Sequence, residues 1–256
     1  MLIRGHELHV VDEGAGAPPL LLVHGFTGSD MDWLDVQPAL AKARRVVSYT
    51  HRGHGDSAHT DTYSIDELVA DLEAVVDGLG LAPMHLLGHS MGGVVVLRYA
   101  LAHRDRLASL VLMDTFAAPP DALLDSWIDS VADIVRTDGM TKLVELMRQY
   151  TPEMAPHIAE RVEYKMSRMD PNAFLELGRA LQTSPSVVDR LGELGAIPVT
   201  VLVGANDTPL LEPSRVMHDA IPGSALVVIP DTGHTPQEER PADWLRAMEE
   251  HLARAV

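Results

Sequence analysis

The sequence predicts an α/β fold in which a mostly parallel sheet is covered by helices on both faces. Short apolar runs rich in Val, Leu and Ile recur along the chain without the polar alternation of a half-exposed strand. Amphipathic helical patterns lie between these runs, as in a strand-helix-strand fold. The segment HELHVV near the start predicts an extra strand at the sheet edge, and the apolar runs lie at 19–23, 45–49, 83–87, 107–113, 197–203 and 225–229.

Two capping boxes predict where helices begin. Ser64 and Glu67 precede a segment whose apolar residues share one helical face. Thr235 and Glu238, with Pro236 at the first helical position, predict the start of the last helix.

The strand pattern stops between residues 115 and 195. Helical patterns interrupted by Gly139 and several prolines occupy this stretch, so we expect a helical insertion. Its methionines are expected mainly to pack between helices, and the alternative is that they line an adaptable apolar pocket. The first helical pattern contains Leu123, Leu124, Trp127, Ile128, Val131, Ile134 and Val135, and the methionines are Met140, Met147, Met154, Met166 and Met169.

Composition restricts the classes of function. The 256 residues include 37 acidic and 20 basic side chains, and a net charge of −17 repels nucleic acid and anionic membranes. The sequence lacks a long apolar run and a secretory h-region, so we expect a cytoplasmic protein without a membrane partner. The absence of cysteine excludes disulfides, thiolate zinc sites and a cysteine nucleophile. Composition leaves the oligomeric state open.

The segment LLGHSMGG, residues 86–93, contains the pattern G-x-S-x-G centred on Ser90. It follows a buried apolar run and opens a helical pattern through Val94, Leu97 and Leu101, which is the strand-turn-helix of a nucleophile elbow. In such a turn the serine has a strained, positive φ, and the flanking small residues let strand and helix pass close together. Ser90 is therefore the candidate nucleophile.

A serine hydroxyl is a weak nucleophile and needs a base together with a carboxylate that orients the base. His234 follows a predicted strand and precedes a helix, and Asp207 lies in the loop after the preceding strand. The chain order Ser90, Asp207, His234 is the expected order of nucleophile, acid and base. Asp114 at the end of an earlier strand is the alternative acid. Asp231, three positions before His234, is interpreted as a loop residue.

Acyl transfer also requires donors for the developing oxyanion. The backbone N–H of Met91 is one candidate, because this residue begins the helix after the nucleophile. The backbone N–H of Phe26, after the strand that ends at His24-Gly25, is the other. We expect His24 and His89 themselves to be buried, hydrogen-bonded loop residues rather than acids or bases.

The segment YTHRGHGDSAH, residues 49–59, invites a different interpretation. His51, His54, His59 and Asp56 are residue types that bind zinc, and a zinc-bound water could act as a nucleophile. Their spacing does not match a helical metal motif, and two interleaved glycines favour a tight turn. The residues alone leave both interpretations open.

Taken together, these segments resemble the α/β-hydrolase superfamily over nearly the whole chain. The resemblance implies a core formed by residues 1–114 and 196–256 and a helical cap formed by residues 115–195. It also implies the Ser90-His234-Asp207 triad, without a metal or another cofactor. The segments that carry it are HGFTGS (24–29), RGHGDS (52–57), GHSMGG (88–93), GANDTP (204–209) and DTGH (231–234).

The resemblance resolves the interpretation of the histidine-rich segment. In these hydrolases an Arg-Gly-x-Gly-x-Ser segment is a loop packed beside the oxyanion loop and contains no metal ligands. The resemblance therefore implies that His51 and His59 are solvated. Thr50 stands where the family usually has Asp, so the contact that normally stabilises this loop is not assured by the sequence.

The reaction is less constrained than the fold. A serine at the elbow disfavours epoxide and haloalkane hydrolases, which resemble this chain but use aspartate there. The sequence favours hydrolysis of carboxylic esters or lactones. The alternatives are a carbon–carbon hydrolase, a pyruvate-eliminating lyase, a cofactor-free perhydrolase or a ligand receptor with slow turnover. The pyruvate-eliminating synthases have arginine where this chain has Val94.

We expect the substrate to be a small or medium, largely apolar and uncharged molecule. The net charge of −17 repels polyanions, and no arginine stands beside the elbow. A cap arginine turned inward could instead bind an acid group through two hydrogen bonds. The candidates for that role are Arg136, Arg148, Arg161 and Arg168.

Overall fold

The computed structural model describes residues 1–121, 127–149 and 156–255. Seven strands form one sheet in the order β3-β5-β4-β6-β7-β8-β9, in which only β3 is antiparallel to its neighbour. These strands are β3 (Val10–Glu13), β4 (Leu20–Val23), β5 (Val46–Tyr49), β6 (Met84–His89), β7 (Leu107–Met113), β8 (Val199–Gly204) and β9 (Ala225–Ile229). All six predicted apolar runs are confirmed as strands.

The start of the chain also forms β structure. A separate two-stranded sheet pairs β1 (Leu2–Ile3) with β2 (His6–Glu7), and β3 then lies at the edge of the main sheet. The predicted edge strand is therefore present, but only the end of HELHVV contributes to it.

Helices cover both faces of the sheet. The helices outside the predicted insertion are α1 (Gln37–Leu40), α2 (Ile65–Leu79), α3 (Met91–Ala102), α7 (Thr208–Ala220), α8 (Pro236–Glu239) and α9 (Pro241–Arg254). Alternate residues of each strand reach opposite faces: Leu21 and Val23 pack with α2 and α3, whereas Leu20 and Leu22 share the other core cluster with Trp244 of α9. The α/β fold with a mostly parallel sheet is confirmed.

The predicted insertion is helical where the structure describes it. It contains α4 (Trp127–Met147), α5 (Pro156–Ser167), α6 (Pro171–Gln182) and a 3₁₀ segment (Val188–Ala196). Gly139 interrupts α4 with a φ of 77°, as the predicted break requires. The predicted helical positions Leu123 and Leu124, and Met154, lie outside the described residues. No helix in the described part of the chain is both long and apolar enough to cross a bilayer.

The two predicted capping boxes differ in outcome. Ser64 caps α2, and its Oγ accepts a hydrogen bond from the Glu67 backbone N–H at 3.1 Å. The box at Thr235 is wrong, because Thr235 makes no side-chain cap and its hydroxyl instead donates to Glu239 Oε1. Pro236 begins the four-residue α8, and α9 begins separately at Pro241. The Glu238 side chain therefore does not cap the helix, and it is buried.

Buried histidines connect several strands and loops. His85 and His251 both hydrogen-bond to Ser109 Oγ, and His251 also hydrogen-bonds to Thr200 Oγ1. Burial lowers the pKa of His85 to about 4 and that of His251 to about 3. Burial also lowers the pKa of His24, His51, His54 and His89.

These histidines predict a loss of stability in mild acid. Unfolding returns each imidazole to a pKa of about 6.5, so between about pH 6.5 and about pH 4 the unfolded state binds more protons. The free energy of unfolding should therefore fall as the pH falls through this window, as measured by urea denaturation followed by tryptophan fluorescence. Burial raises the pKa of Asp114 and Glu238, and these two carboxyls oppose the loss of stability in acid. The buried histidines are more numerous, so their effect should dominate.

A matched pair of variants tests the cause of this pH dependence. His251→Asn removes a buried imidazole and should give a shallower fall in stability relative to its own value at neutral pH. His59→Asn removes an exposed imidazole and should leave the slope unchanged. Equal stability of the unaltered protein across the whole window would contradict the prediction.

Candidate active site

Ser90 lies in a strained turn between β6 and α3. Its φ is 54° and its ψ is −118°, which confirms the predicted positive φ. The turn is compact: a Cβ at Gly88 would lie 2.4 Å from the carbonyl oxygen of Gly92, and a Cβ at Gly92 would lie 2.4 Å from the carbonyl oxygen of His24. Any larger residue at either glycine would separate the strand from the helix, so the G-x-S-x-G spacing is a packing requirement.

The three predicted triad side chains are in contact. His234 Nε2 lies 2.9 Å from Ser90 Oγ, and His234 Nδ1 lies 2.7 Å from Asp207 Oδ2. A carboxylate can only accept, so Nδ1 donates, and the tautomer with this proton can present the Nε2 lone pair to the serine hydroxyl. The His234 side chain is 45% exposed, whereas that of Asp207 is 8% exposed. Such an arrangement can activate a serine for nucleophilic attack.

Asp114, the alternative acid, takes part in neither of these two hydrogen bonds. It follows β7 with a φ of 44°, is fully buried, and accepts a hydrogen bond from the Gly204 backbone N–H at 2.9 Å. Burial and the neighbouring Asp207 carboxylate raise the pKa of Asp114 well above its usual range. Asp207, rather than Asp114, makes the hydrogen bond to the imidazole. Asp231 is exposed in a left-handed turn, as expected of a loop residue.

The two predicted oxyanion donors lie on segments that meet at Ser90. Met91 begins α3, so its N–H has no acceptor within the helix. On the other side, a Cβ at Gly25 would lie 2.9 Å from the Cβ of Ser90, and Phe26 is the next residue. The ring of Phe26 stacks on Phe174 of α6, with 5.3 Å between centroids. The loop after β4 is thus packed directly against the candidate nucleophile.

His24 and His89 connect the loops of the site, and both are buried and hydrogen-bonded as predicted. His89 Nε2 donates to the His234 backbone carbonyl at 2.7 Å, which ties the turn of Ser90 to the loop that carries the candidate base. His24 accepts a hydrogen bond at Nε2 from the His51 backbone N–H at 2.9 Å. Burial lowers the pKa of His89 to about 4, so this ring is neutral near pH 7.

The histidine-rich segment does not gather its three imidazoles around one point. His51 and His54 are buried, and their rings pack edge-on against His24. The expectation that His51 is solvated is therefore wrong, because this loop packs beneath the loop after β4 rather than lying on the surface. His59 is exposed, and its Nδ1 lies 3.3 Å from Asp170 Oδ2.

Two polar contacts fix the position of this loop. Arg52 makes paired hydrogen bonds of 2.6 Å to both carboxylate oxygens of Asp71 on α2, and both side chains are buried. Thr50 donates to Asp30 Oδ1 at 2.8 Å and accepts from the Asp30 backbone N–H at 3.0 Å. Thr50 therefore anchors the loop to the segment after β4, although it replaces the family's usual aspartate.

A cavity of about 210 Å³ lies beside His234 and Phe26. It is smaller than the roughly 300–1,000 Å³ typical of pockets for drug-sized ligands. Part of its lining is apolar. Another part, called the charged wall below, consists of the buried side chains of Asp32, Lys165 and Glu238. The remaining lining residues are Thr27, Gly28, His89, Ile158, Val162, Met166 and Thr235.

Sequence reasoning did not identify this charged wall. One signal was available: Lys165 follows Ile158 by seven residues and Val162 by three, so a lysine occupies the apolar face of α5. Met140, Met166 and Met169 are all buried among packed helices, as expected for most of these methionines, and Met166 also lines the cavity beside His234.

The four arginines considered as anion clamps all pair with carboxylates. None of them lines the described cavity beside His234. Arg168 lies 3.1 Å from Asp56, and Arg136 lies 3.5 Å from Asp133. The remaining pairs are Arg148 with Glu163 and Arg161 with Asp35.

The chain belongs to the alpha/beta hydrolase fold family, whose model matches residues 18–241. It is 32% identical, over 93% of its own length, to the dihydrolipoyllysine-residue acetyltransferase component of the acetoin cleaving system of Pseudomonas putida, and spans 63% of that protein. It is also similar to solved structures. A thermophilic esterase from Thermogutta terrifontis is 32% identical with a TM-score of 0.86, and the match covers 98% of this chain and 94% of that one. The enol-lactonase from Burkholderia xenovorans LB400 is 25% identical with a TM-score of 0.86, and 99% of each chain is covered.

The contacts of the two aspartates predict different effects of their substitution. Asp207→Asn removes the charge that stabilises a protonated His234 and can reverse its tautomer, so reaction of Ser90 with a fluorophosphonate should slow by roughly 10³-fold or more. Asp114→Asn should slow it far less, because Asp114 does not contact the imidazole. The rates are measured by mass spectrometry of the labelled protein. Normal labelling of Asp207→Asn with collapse in Asp114→Asn would transfer the acid role to Asp114.

Proposed function

We propose that this protein is a serine hydrolase that cleaves carboxylic esters or lactones. The hydrogen-bond chain from Ser90 through His234 to Asp207, at the turn between β6 and α3, carries the proposal. The similarity to an esterase and to an enol-lactonase supports this substrate class. The reaction requires no cofactor, because the nucleophile, base and acid are all side chains of this chain.

The proposed mechanism follows from these contacts. His234 Nε2 takes the proton of Ser90 as Oγ attacks the carbonyl carbon, and Asp207 stabilises the imidazolium that forms. The N–H groups of Phe26 and Met91 donate to the oxyanion of the tetrahedral intermediate. His234 then protonates the leaving alcohol, which leaves an acyl group on Ser90. A water molecule, deprotonated by the same imidazole, hydrolyses this ester and restores the serine.

We propose that residues 115–195 form a cap on a core of residues 1–114 and 196–256. Two contacts support this division. Phe174 of α6 stacks on Phe26, beside Ser90, and Ile158 and Val162 of α5 line the cavity next to His234. The cap would therefore decide which substrates fit, while the core supplies the chemistry. The small, partly apolar cavity favours a short or medium, uncharged acyl group or lactone.

Removal of the candidate nucleophile tests this proposal. Ser90→Ala should reduce p-nitrophenyl butyrate turnover to background, because the acyl-enzyme of the proposed mechanism forms on Ser90 Oγ. Circular dichroism should show an unchanged fold, and Ser167→Ala, at an exposed serine on α5, should keep full activity. Most of the activity surviving in Ser90→Ala would sink the proposal, and ligand binding without turnover in the unaltered protein would favour a receptor.

Activity should be independent of bound metal. Asp114, Asp207 and His234 bring one potential ligand atom each within 4.8 Å of one another, so this site is the place where a metal could compete with the proposed triad. We expect exhaustive chelation to leave the rate of ester hydrolysis unchanged, because the proposed mechanism uses only side chains and backbone groups of the protein. A large loss of activity that added zinc restores would contradict the serine mechanism.

A further inference from the structure

The charged wall of the cavity beside His234 contains one lysine and two carboxylates. Lys165 of α5 forms an ion pair with Asp32, and both side chains are buried. Glu238 of α8 faces the same lysine, but its Oε1 lies 3.7 Å from Lys165 Nζ, beyond hydrogen-bond distance. The Lys165 charge is therefore balanced mainly by Asp32.

Glu238 lines this cavity and has one acceptor oxygen that the described residues leave unused. Its side chain is only 3% exposed, and Oε1 has no hydrogen-bond partner within the ranges that the structure describes. Burial raises the pKa of Glu238 to about 7. A buried polar atom without a partner costs free energy, which a bound group that donates a hydrogen bond would recover.

We propose that this wall recognises a hydroxyl group on the substrate, which donates a hydrogen bond to Glu238 and accepts one from Lys165. A hydroxyl can do both at once, and the gap between the two charged groups is too long for a direct hydrogen bond. The apolar wall formed by Ile158, Val162 and Met166 would hold the hydrocarbon part of the same substrate. The preferred substrate is therefore a hydroxylated short-chain ester or the corresponding lactone.

Other polar groups fit this wall less well. A carboxylate on the substrate would place a third negative charge beside Asp32 and Glu238, against a single lysine. An ammonium group could donate to Glu238, but it has no lone pair with which to accept a hydrogen bond from Lys165. A neutral hydroxyl avoids both costs.

This inference rests on the proposed ester hydrolysis, and a matched substrate series tests it. Ethyl butanoate is compared with ethyl 2-hydroxybutanoate and ethyl 3-hydroxybutanoate, and propyl butanoate with 2-hydroxyethyl butanoate, by following acid release. For each pair, kcat/KM of the hydroxylated ester is divided by kcat/KM of its parent ester. This ratio in the unaltered protein is then divided by the same ratio in Glu238→Leu, which cancels the intrinsic reactivity of the esters. We expect this double ratio to reach about tenfold for at least one pair, as one hydrogen bond to a charged group would give.

Two further variants separate recognition from general effects. Glu238→Gln keeps a carbonyl acceptor and nearly the same shape, so it should retain a preference for the hydroxylated ester. Glu160→Gln removes an exposed charge from the same helix as Lys165 and should change no ratio. Double ratios near one for every pair, or an undiminished preference in Glu238→Leu, would overturn the inference.

The failure of this inference can be distinguished from failure of the proposed function. If ethyl butanoate is hydrolysed and Ser90→Ala abolishes that activity, double ratios near one count against hydroxyl recognition alone. If the unaltered protein hydrolyses none of the esters, the proposed function fails. Binding of the same esters to Ser90→Ala, followed by NMR titration, then decides the inference. Tighter binding of a hydroxylated ester that disappears when Glu238→Leu is added would support it, and equal binding would refute it.

Discussion

The close approach of three backbone segments at Ser90 is the constraint on which the site depends. Strand β6, helix α3 and the loop after β4 meet where Gly25, Gly88 and Gly92 leave no space for a Cβ. This contact forces Ser90 into a left-handed conformation whose cost the packed surroundings must offset. It also sets the distance between the candidate nucleophile and the N–H groups of the adjoining loop. The remaining site residues need only reach this point from the carboxyl ends of the neighbouring parallel strands.

That dependence explains how much of the site the sequence could predict. Ser90, Asp207 and His234 each lie beside a strong local pattern, either a buried strand or a helix start, and a parallel sheet brings such positions to one edge. Their hydrogen-bonded contact agrees with the order found in the chain. The catalytic roles of these residues remain predictions, since geometry alone does not measure reactivity.

The charged wall was not predicted, because its residues lie beside no local pattern that indicates their position. Lys165 and Asp32 are separated by 133 positions, and neither lies in a recognisable motif. Glu238 was misinterpreted as part of a capping box, because the pattern S/T-x-x-E describes local spacing and not the direction in which a side chain turns. The pairing of these residues depends on how α5 and α8 pack against the loop after β4, which no local pattern encodes.

The environment of the histidines was also only partly predicted. The resemblance implied a solvated His51, whereas His51 and His54 are buried as neutral rings that pack against His24. His24 and His89 use single ring nitrogens to tie neighbouring loops together. In this protein the residue type works mainly as a compact, polar packing unit whose pKa is lowered by burial.

The ion pair between Lys165 and Asp32 has a consequence for how this protein can evolve. Because Lys165 belongs to α5 while its carboxylate partners lie on other segments, a mutation at position 165 alone leaves two buried acids facing each other. Whether a substitution of Asp32 or Glu238 is tolerated therefore depends on whether Lys165 has already been replaced. Adaptation to a new substrate on this wall is thus epistatic, and homologues should exchange these three positions as a coordinated set.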